Sequence, residues 1–322
     1  MRNLFAKYRE VILGLLILIL LTVSWLLYAS TLKHDFQNEI ISSLEEVSTQ
    51  GKSILEKEIN GKLELLTEVS RRVGFYTVDN YEEAAAMLAS TAQENGFKRM
   101  GVITADGTTY TTDHVHMDLS DRPYYRKGLA GENSVSDPLV DREGSETIHV
   151  YAVPVYHNRE VTAVLFGTYD INEMRRQLEV TSFGGRGYTY IVNKEGNCIV
   201  DSTNSYSYPN MQNIFTSMEA EDRKNQAIAD RMKVDFENGQ DGCVRFMNKG
   251  VQYMYYRPLP INDWYLLTVA PASVLDSKMN AVLGRTYLLG VFMVLIFAGI
   301  LVYILKDQKR RKAELMHSLY TD

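Results

Sequence analysis

The chain has 322 residues, a formal net charge of −6 and two cysteines, Cys198 and Cys243. The acidic balance leaves no broad basic surface for a nucleic-acid partner, and two cysteines are too few for a disulfide-stapled scaffold. A chain of this size is long enough to bury its own cores.

Ten residues with a basic character, 1–10, lead into an apolar run at 11–30, and a second run occupies 287–305. Each is about 20 residues, which at about 1.5 Å per residue spans a bilayer core of about 30 Å. Neither holds an ionisable side chain other than tyrosine. Arg2, Lys7 and Arg9 precede the first run; Lys306, Lys309, Arg310, Arg311 and Lys312 follow the second. Basic flanks resist translocation, so both termini are expected in the cytoplasm and the intervening region outside the cell membrane. Trp25, Tyr28 and Tyr287 fall where aromatic side chains would meet the outer interface. A cleaved signal peptide is the rival reading of the first run, but its apolar core is usually about 7–15 residues, shorter than this one.

Residues 31–74 read as one long helix leaving the first span. Ile40, Leu44, Val47 and Ile54 recur at helical spacing, and Ile59, Leu63, Leu66 and Val73 resume it after a step of five. Fully helical, this stalk would reach about 65 Å. It suits a domain-spanning helix that also contributes to a homodimer. A helix at 81–94 comes next, followed by a strand, turn and strand centred on Asp106-Gly107. A polar, proline-bearing stretch over 113–147 leads to strands at 148–156 and 161–169, with His157-Asn158 as the turn. The second half repeats the arrangement: a hairpin about Glu195-Gly196, a helical interval at 211–238, then strands at 242–247, 251–258 and 264–270. Two copies of one α+β unit follow from this repetition.

Several constellations have bland readings. His114 and His116 belong to a solvated loop, and no metal site is expected. Gly184-Gly185-Arg186-Gly187 lacks the lysine and hydroxyl of a phosphate cradle and opens a strand. No Gly-x-Ser-x-Gly elbow or His-Glu-x-x-His helix occurs, so no enzyme activity and no cofactor are expected of this chain.

The arrangement of span, stalk helix, two PAS-like antiparallel sheets and second span resembles a double Cache sensor of bacterial transmembrane receptors, over roughly residues 31–278. The most specific stretch is Asp118-Leu-Ser-Asp-Arg-Pro-Tyr-Tyr125, similar to the family's acidic–Arg–x–aromatic–Tyr segment. Ser136-Asp-Pro-Leu-Val-Asp141, Pro154, Gly167-Thr-Tyr-Asp170, Gly187-Tyr-Thr-Tyr and Asp263-Trp264-Tyr265 support it. The resemblance implies an α+β fold with a membrane-distal domain at 75–183 and a membrane-proximal domain at 184–278. It also implies strand order 2-1-5-4-3, which places Cys198 and Cys243 on opposite edges of one sheet and predicts no bond between them. At the end of the chain, 313–322 resembles the helix that leads into a GGDEF diguanylate cyclase domain. By that likeness 306–322 is a cytoplasmic signalling helix cut short before its output domain.

The resemblance further implies a small ligand in the membrane-distal domain, an amino acid or a related amine or carboxylate. Carried over by position, Arg122 and Tyr124 address a carboxylate, Tyr125 lines the pocket, and Asp141 and Asp170 face an ammonium. A guanidinium fork matches a carboxylate bidentately, and an aspartate with an aromatic wall suits a desolvated ammonium. The chain departs from the amino-acid pattern where Tyr124 replaces a tryptophan and Met117 and Leu139 replace tyrosines. An internal Arg122–Asp170 ion pair with Tyr124 as core is the structural alternative. Histidine-kinase or chemoreceptor input modules are the alternative within signalling; a tethered hydrolase or scaffold is the alternative outside it.

Overall fold

The structure, a computed structural model, describes residues 2–76, 80–143, 146–178, 183–208 and 210–320. Thr321 and Asp322, where the likeness to a cyclase lead-in ends, lie outside the described residues, as do the side chains of Arg2, Lys7, Arg9, Arg311 and Lys312.

Helix α1 (Arg2–Val73) is followed by α2 (Tyr81–Glu94) and the hairpin β1 (Arg99–Thr104) and β2 (Thr109–Thr111). Next come α3 (Pro123–Leu129), β3 (Ser134–Val135), β4 (Leu139–Val140), β5 (Thr147–His157), β6 (Glu160–Asp170) and α4 (Ile171–Gln177). The second repeat comprises β7 (Tyr188–Val192), β8 (Cys198–Val200), α5 (Ile214–Glu221), α6 (Gln226–Glu237), β9 (Gly242–Met247), β10 (Val251–Pro258) and β11 (Tyr265–Pro271). Helix α7 (Ala272–Tyr320) ends the described chain. Two compact units result, one spanning 43–272 and the other pairing 1–42 with 273–322.

The larger unit holds two antiparallel sheets. The first runs β2-β1-β6-β5-β3, with β4 also pairing to β5; the second runs β8-β7-β11-β10-β9. The expected order therefore holds in the second sheet, and Cys198 and Cys243 stand on its two outer strands. The β5–β6 hairpin turns through Asn158 and Arg159, both at positive φ (50° and 72°), one residue later than expected. Two such residues match the right-handed twist of the flanking strands.

The stretch over 113–147 is not merely polar loop. It contains α3 and the short strands β3 and β4, and it covers one face of the first sheet. Both faces of that sheet are thus buried, and β5 carries an unbroken run of buried residues over Ile148–Val155. Tyr124, Tyr125, Ile103, Val164 and Phe166 form the core on the α3 side. On the other face lie α2 and the stalk portion of α1, whose core joins the two sheets through Leu55, Ile59, Leu66, Ile191 and Leu266.

The stalk's buried stripe keeps Ile40, Leu44, Ile59, Leu66 and Val73 of the expected one and differs elsewhere. Leu44, Ser48, Leu55, Ile59, Leu66 and Ser70 are buried, whereas Ile54 is 49% exposed and Val47 and Leu63 are only partly covered. Those positions advance by four and seven alternately, an 11-residue repeat of about 3.67 residues per turn. Such a repeat hardly drifts around a straight helix, so one face stays on the sheets. Gly51 belongs to this contact: a Cβ there would come within 3.1 Å of the Leu266 side chain.

In the smaller unit, two helical segments are long and apolar enough to cross a membrane. They pack closely at Gly290, where an added Cβ would strike the Trp25 indole at 2.1 Å. Trp25 stacks edge-on to Tyr287 at 5.5 Å and donates from Nε1 to the Thr286 carbonyl at 3.1 Å. Small residues permit such an approach in an apolar medium.

Candidate functional site

Pro123 occupies the first turn of α3, and its ring drives the preceding residue into extended geometry; Arg122 accordingly sits at the helix N-cap with φ −77° and ψ 132°. This places Arg122 and Tyr124 against the first sheet. Between α3, the β3–β5 segment and the sheet lies an inner cavity of about 20 Å³, bordered by Arg99, Met117, Arg122, Tyr124, Leu139, Asp141 and Arg142 together with Leu119 and with Ile148, Val150, Phe166 and Thr168 of β5 and β6. Such a space holds about one water. Arg122, Tyr124 and Leu139 also border a larger outer cleft of about 430 Å³, to which Lys127, Asp137, Asn262 and Asp263 contribute.

Of the seven candidate residues, Met117, Arg122, Tyr124, Leu139 and Asp141 are brought together here. Tyr125 and Asp170 do not line this cavity. The Tyr125 hydroxyl donates to the carbonyls of Thr104 and Ala105 at 3.0 and 2.9 Å and ties α3 to the β1–β2 hairpin. Asp170 caps α4, accepting from the Asn172 backbone N–H at 2.9 Å, and borders a separate groove with Arg175, Arg176 and Asp201. The Arg122–Asp170 ion pair is absent among the described residues. Arg122 forms no side-chain hydrogen bond or ion pair with any described residue, and its buried Nε has no acceptor.

Asp141 is held differently. Its side chain is 3% exposed, and Arg99 Nη1 lies 2.9 Å from Oδ1 while Lys98 Nζ lies 3.2 Å from Oδ2. Burial opposes ionisation of this carboxyl, but the Glu143 backbone N–H, Lys98 and Arg99 outweigh it, and its pKa is lowered. Arg99 also binds Asp113 through Nε at 2.6 Å. Arg142 grips Asp121 with Nη2 at 2.7 Å from both oxygens and donates to the Asp118 carbonyl. Burial raises the Tyr124 phenol to about 12, so it stays a neutral hydroxyl.

Sequence reasoning missed Arg99, Lys98 and Arg142. The one available signal was the basic pair Lys98-Arg99 at the mouth of an otherwise apolar strand, where Arg99 proves to be the first residue of β1 and buried.

The second repeat reaches this region through the turn before β11. Asn262 Nδ2 donates to the Val135 carbonyl at 2.7 Å, and Trp264 Nε1 donates to Asp137 Oδ1 at 2.8 Å. Trp264 is wholly buried, its ring 5.8 Å from that of His149. His149 Nδ1 lies 3.0 Å from the Ser136 carbonyl, and burial lowers its pKa, so the ring is neutral and donates there. Trp264 and His149 thus brace the β3–β4 segment that walls the cavity.

A helix running behind two PAS-like sheets, with a small cavity on the other face of the first, is the architecture of a sensor domain. The chain belongs to the Cache domain family, whose double-Cache profile matches residues 32–279. No curated protein matches its sequence. Among solved structures, it is similar to the ligand-binding domain of the Pseudomonas aeruginosa amino-acid chemoreceptor PctC in complex with GABA, at 19% identity and TM-score 0.54, covering 71% of this chain and 99% of that one. The sensory domain of the Campylobacter jejuni chemoreceptor Tlp3 with isoleucine bound is similar at 9% identity and TM-score 0.59, covering 76% and 97%. The extracellular domain of mmHK1S-Z3, designated a histidine kinase, is similar at 13% identity and TM-score 0.58, covering 75% and 97%. These likenesses concern the fold.

Proposed function

We propose that the chain is the sensing part of a two-pass receptor of the cell membrane, with both termini cytoplasmic and residues 31–278 outside. Its membrane-distal domain binds a small ligand carrying a charged group, an amino acid or a related amine or carboxylate, in the cavity beside α3. The observation that carries this reading is Arg122. Its guanidinium has no described partner, and an orphaned buried N–H costs about 1–3 kcal/mol, which a ligand oxygen would recover. Met117, Tyr124, Leu139 and Asp141 line the same space and are its further candidate contacts; Tyr125 positions α3.

The cavity of about 20 Å³ must widen to admit such a ligand, and a ligand shifts an equilibrium only by its differential affinity for the two states. Movement of α3 and the β3–β4 segment would reach the second domain through Asn262 and Trp264, and the stalk through the sheet. The chain acts as a homodimer in this reading, with the exposed Ile41 and Ile54 on the stalk as contact candidates. The output is a diguanylate cyclase, supported by the likeness of 313–322 to a GGDEF lead-in. A chemoreceptor or histidine-kinase output is the second reading, favoured by the proteins whose sensor domains share this fold.

The test is ligand-induced thermal stabilisation of the full chain in lipid nanodiscs, screened with amino acids, amines and small carboxylates. A saturable shift is expected, and Arg122→Ala should remove it, with a loss on the order of 2–5 kcal/mol of binding. An undiminished shift in that variant places the ligand elsewhere.

A further inference from the structure

We infer that the ligand site continues from Arg122 into the outer cleft, where the second repeat completes it. Its ligand is a small zwitterion whose ammonium and carboxylate are set apart by a short chain, an ω-amino acid or a dipeptide. The inference rests on the sensor reading above and deepens it. Size is the first observation. The inner cavity of about 20 Å³ holds about one water, whereas the outer cleft of about 430 Å³ lies within the range of small-molecule sites, about 300–1,000 Å³. Arg122, Tyr124 and Leu139 border both spaces, so the two share that guanidinium.

The charges of the cleft are sorted by segment. Arg122 and Lys127 come from α3 and its N-cap; the remaining lining segments, the β3–β4 link and the turn before β11, carry Asp137 and Asp263 and no cation. Among the described residues, neither cation's side chain has a hydrogen bond or an ion pair. The buried Ser134 hydroxyl, also on the cleft, has no partner either. Both carboxylates keep accepting capacity. Asp137 receives the Trp264 indole on Oδ1 at 2.8 Å and has no described donor on Oδ2. Asp263 meets Lys194 at 3.6 Å, but the two side chains are 75% and 53% exposed, and such a pair contributes little. Opposite charges that border one cleft without pairing are suited to a zwitterion that bridges them. Its carboxylate takes the Arg122 guanidinium, with Lys127 and Ser134 as further donors, and its ammonium takes Asp137 and Asp263. A chain of several bonds between its two ends matches charges carried on different segments.

The second repeat's share of the cleft is held in place. The Leu259 N–H donates to the Trp264 carbonyl at 2.7 Å and the Trp264 N–H to the Ile261 carbonyl at 2.9 Å, closing the turn. Asn262 and Asp263 sit there at φ of 49° and 56°, a conformation these two residue types tolerate. Asn262 is tied in turn to the Val135 carbonyl of the first repeat. Asp263 therefore has a fixed backbone position at the edge of the cleft. A ligand ammonium bound to it would link the repeats in the occupied state alone, which is the differential contact that a two-state sensor requires.

The experiment uses two zwitterions, each with the partner that lacks only its amino group: 5-aminovalerate with pentanoate, and glycylglycine with N-acetylglycine. Binding to the full chain in nanodiscs is read by calorimetry for the parent, Arg122→Gln, Asp137→Asn and Asp263→Asn. Asparagine keeps an acceptor for the Trp264 indole and suits a positive φ, so both asparagine variants retain the turn. The expected result is that in at least one pair the zwitterion binds at least about tenfold more tightly than its partner. Asp137→Asn or Asp263→Asn should remove most of that gap, and Arg122→Gln should abolish binding. A zwitterion that needs Arg122 but binds unchanged in both asparagine variants lies in the inner cavity, which overturns the inference and leaves the sensor reading standing. Equal, Arg122-dependent binding within both pairs has the same consequence. Absence of saturable binding by either zwitterion also overturns the inference, while the sensor reading is then decided by the wider screen above. Binding unaffected by Arg122→Gln overturns both.

Discussion

Replacing Arg99 by methionine tests the electrostatic account of the cavity wall most directly. The Arg99 and Asp141 side chains are 7% and 3% exposed and meet at 2.9 Å, so the substitution leaves a buried carboxylate short of its main partner. Removing one member of a buried pair costs about 3–5 kcal/mol. Lys98 remains 3.2 Å from the carboxylate but is 35% exposed, so it offsets part of that loss. The pair with Asp113, which is 41% exposed, contributes less than about 1 kcal/mol. The expected cost is about 3 kcal/mol, or a fall of roughly 6–12 °C in Tm for a unit of this size. Chemical denaturation of the full chain in detergent, followed by the fluorescence of buried Trp264, measures it. The double variant Arg99→Met/Asp141→Leu should recover most of the loss, because neither charge is then buried alone. A single variant costing under about 1 kcal/mol, with no recovery in the double, would refute the Arg99–Asp141 pair as a buried, mutually dependent one.

The same pair gives the stability a pH dependence of defined sign. Asp141 and Asp113 have pKa values lowered in the folded state, so the unfolded chain, near about 3.9, takes up protons first as pH falls. Their contribution is complete above the ordinary carboxylate range and is lost as pH drops through the folded values; urea midpoints between about pH 5 and pH 3 should decline, and less steeply in Arg99→Met. Trp264→Phe removes the indole donor 2.8 Å from Asp137 and should cost about 1.5–3 kcal/mol by circular dichroism melting, whereas an unchanged melt would mean that the interdomain bond is replaced without loss. Gly128→Ala sets a Cβ 2.6 Å from a Val164 methyl, lifting α3 from β6; a loss of about 1–3 kcal/mol and a weakened ligand response are expected, and parent-like values for both would show that α3 has room to shift.

Much of the fold was legible because its signals are local. Alternating apolar residues marked β9 and β10 to their ends, and the repeat of hairpin, helical interval and three strands disclosed two copies of one unit. The stalk was legible as a helix but not in its seam. The apolar spacing admitted Ile54, while the buried stripe runs through Ser48 and Ser70, small polar residues that no hydrophobic pattern selects. Asp170 shows the same limit at the site. Its neighbours placed it in a family motif, yet the chain turns there into α4, and the carboxylate serves as that helix's cap.

The sequence by itself determined the two apolar runs, the stalk helix, the pair of antiparallel sheets, and Arg122 with Tyr124 as residues of one cavity. Only the tertiary structure decided which charges on that cavity are still free. Arg99 finds Asp113 14 positions away and Asp141 42 positions away. Those partnerships arise when β1 and the chain around β4 are laid on one sheet, and no periodicity along the chain records them. Burial then fixes their consequence: it makes the Arg99–Asp141 pair costly to break and leaves the Arg122 Nε without an acceptor among the described residues.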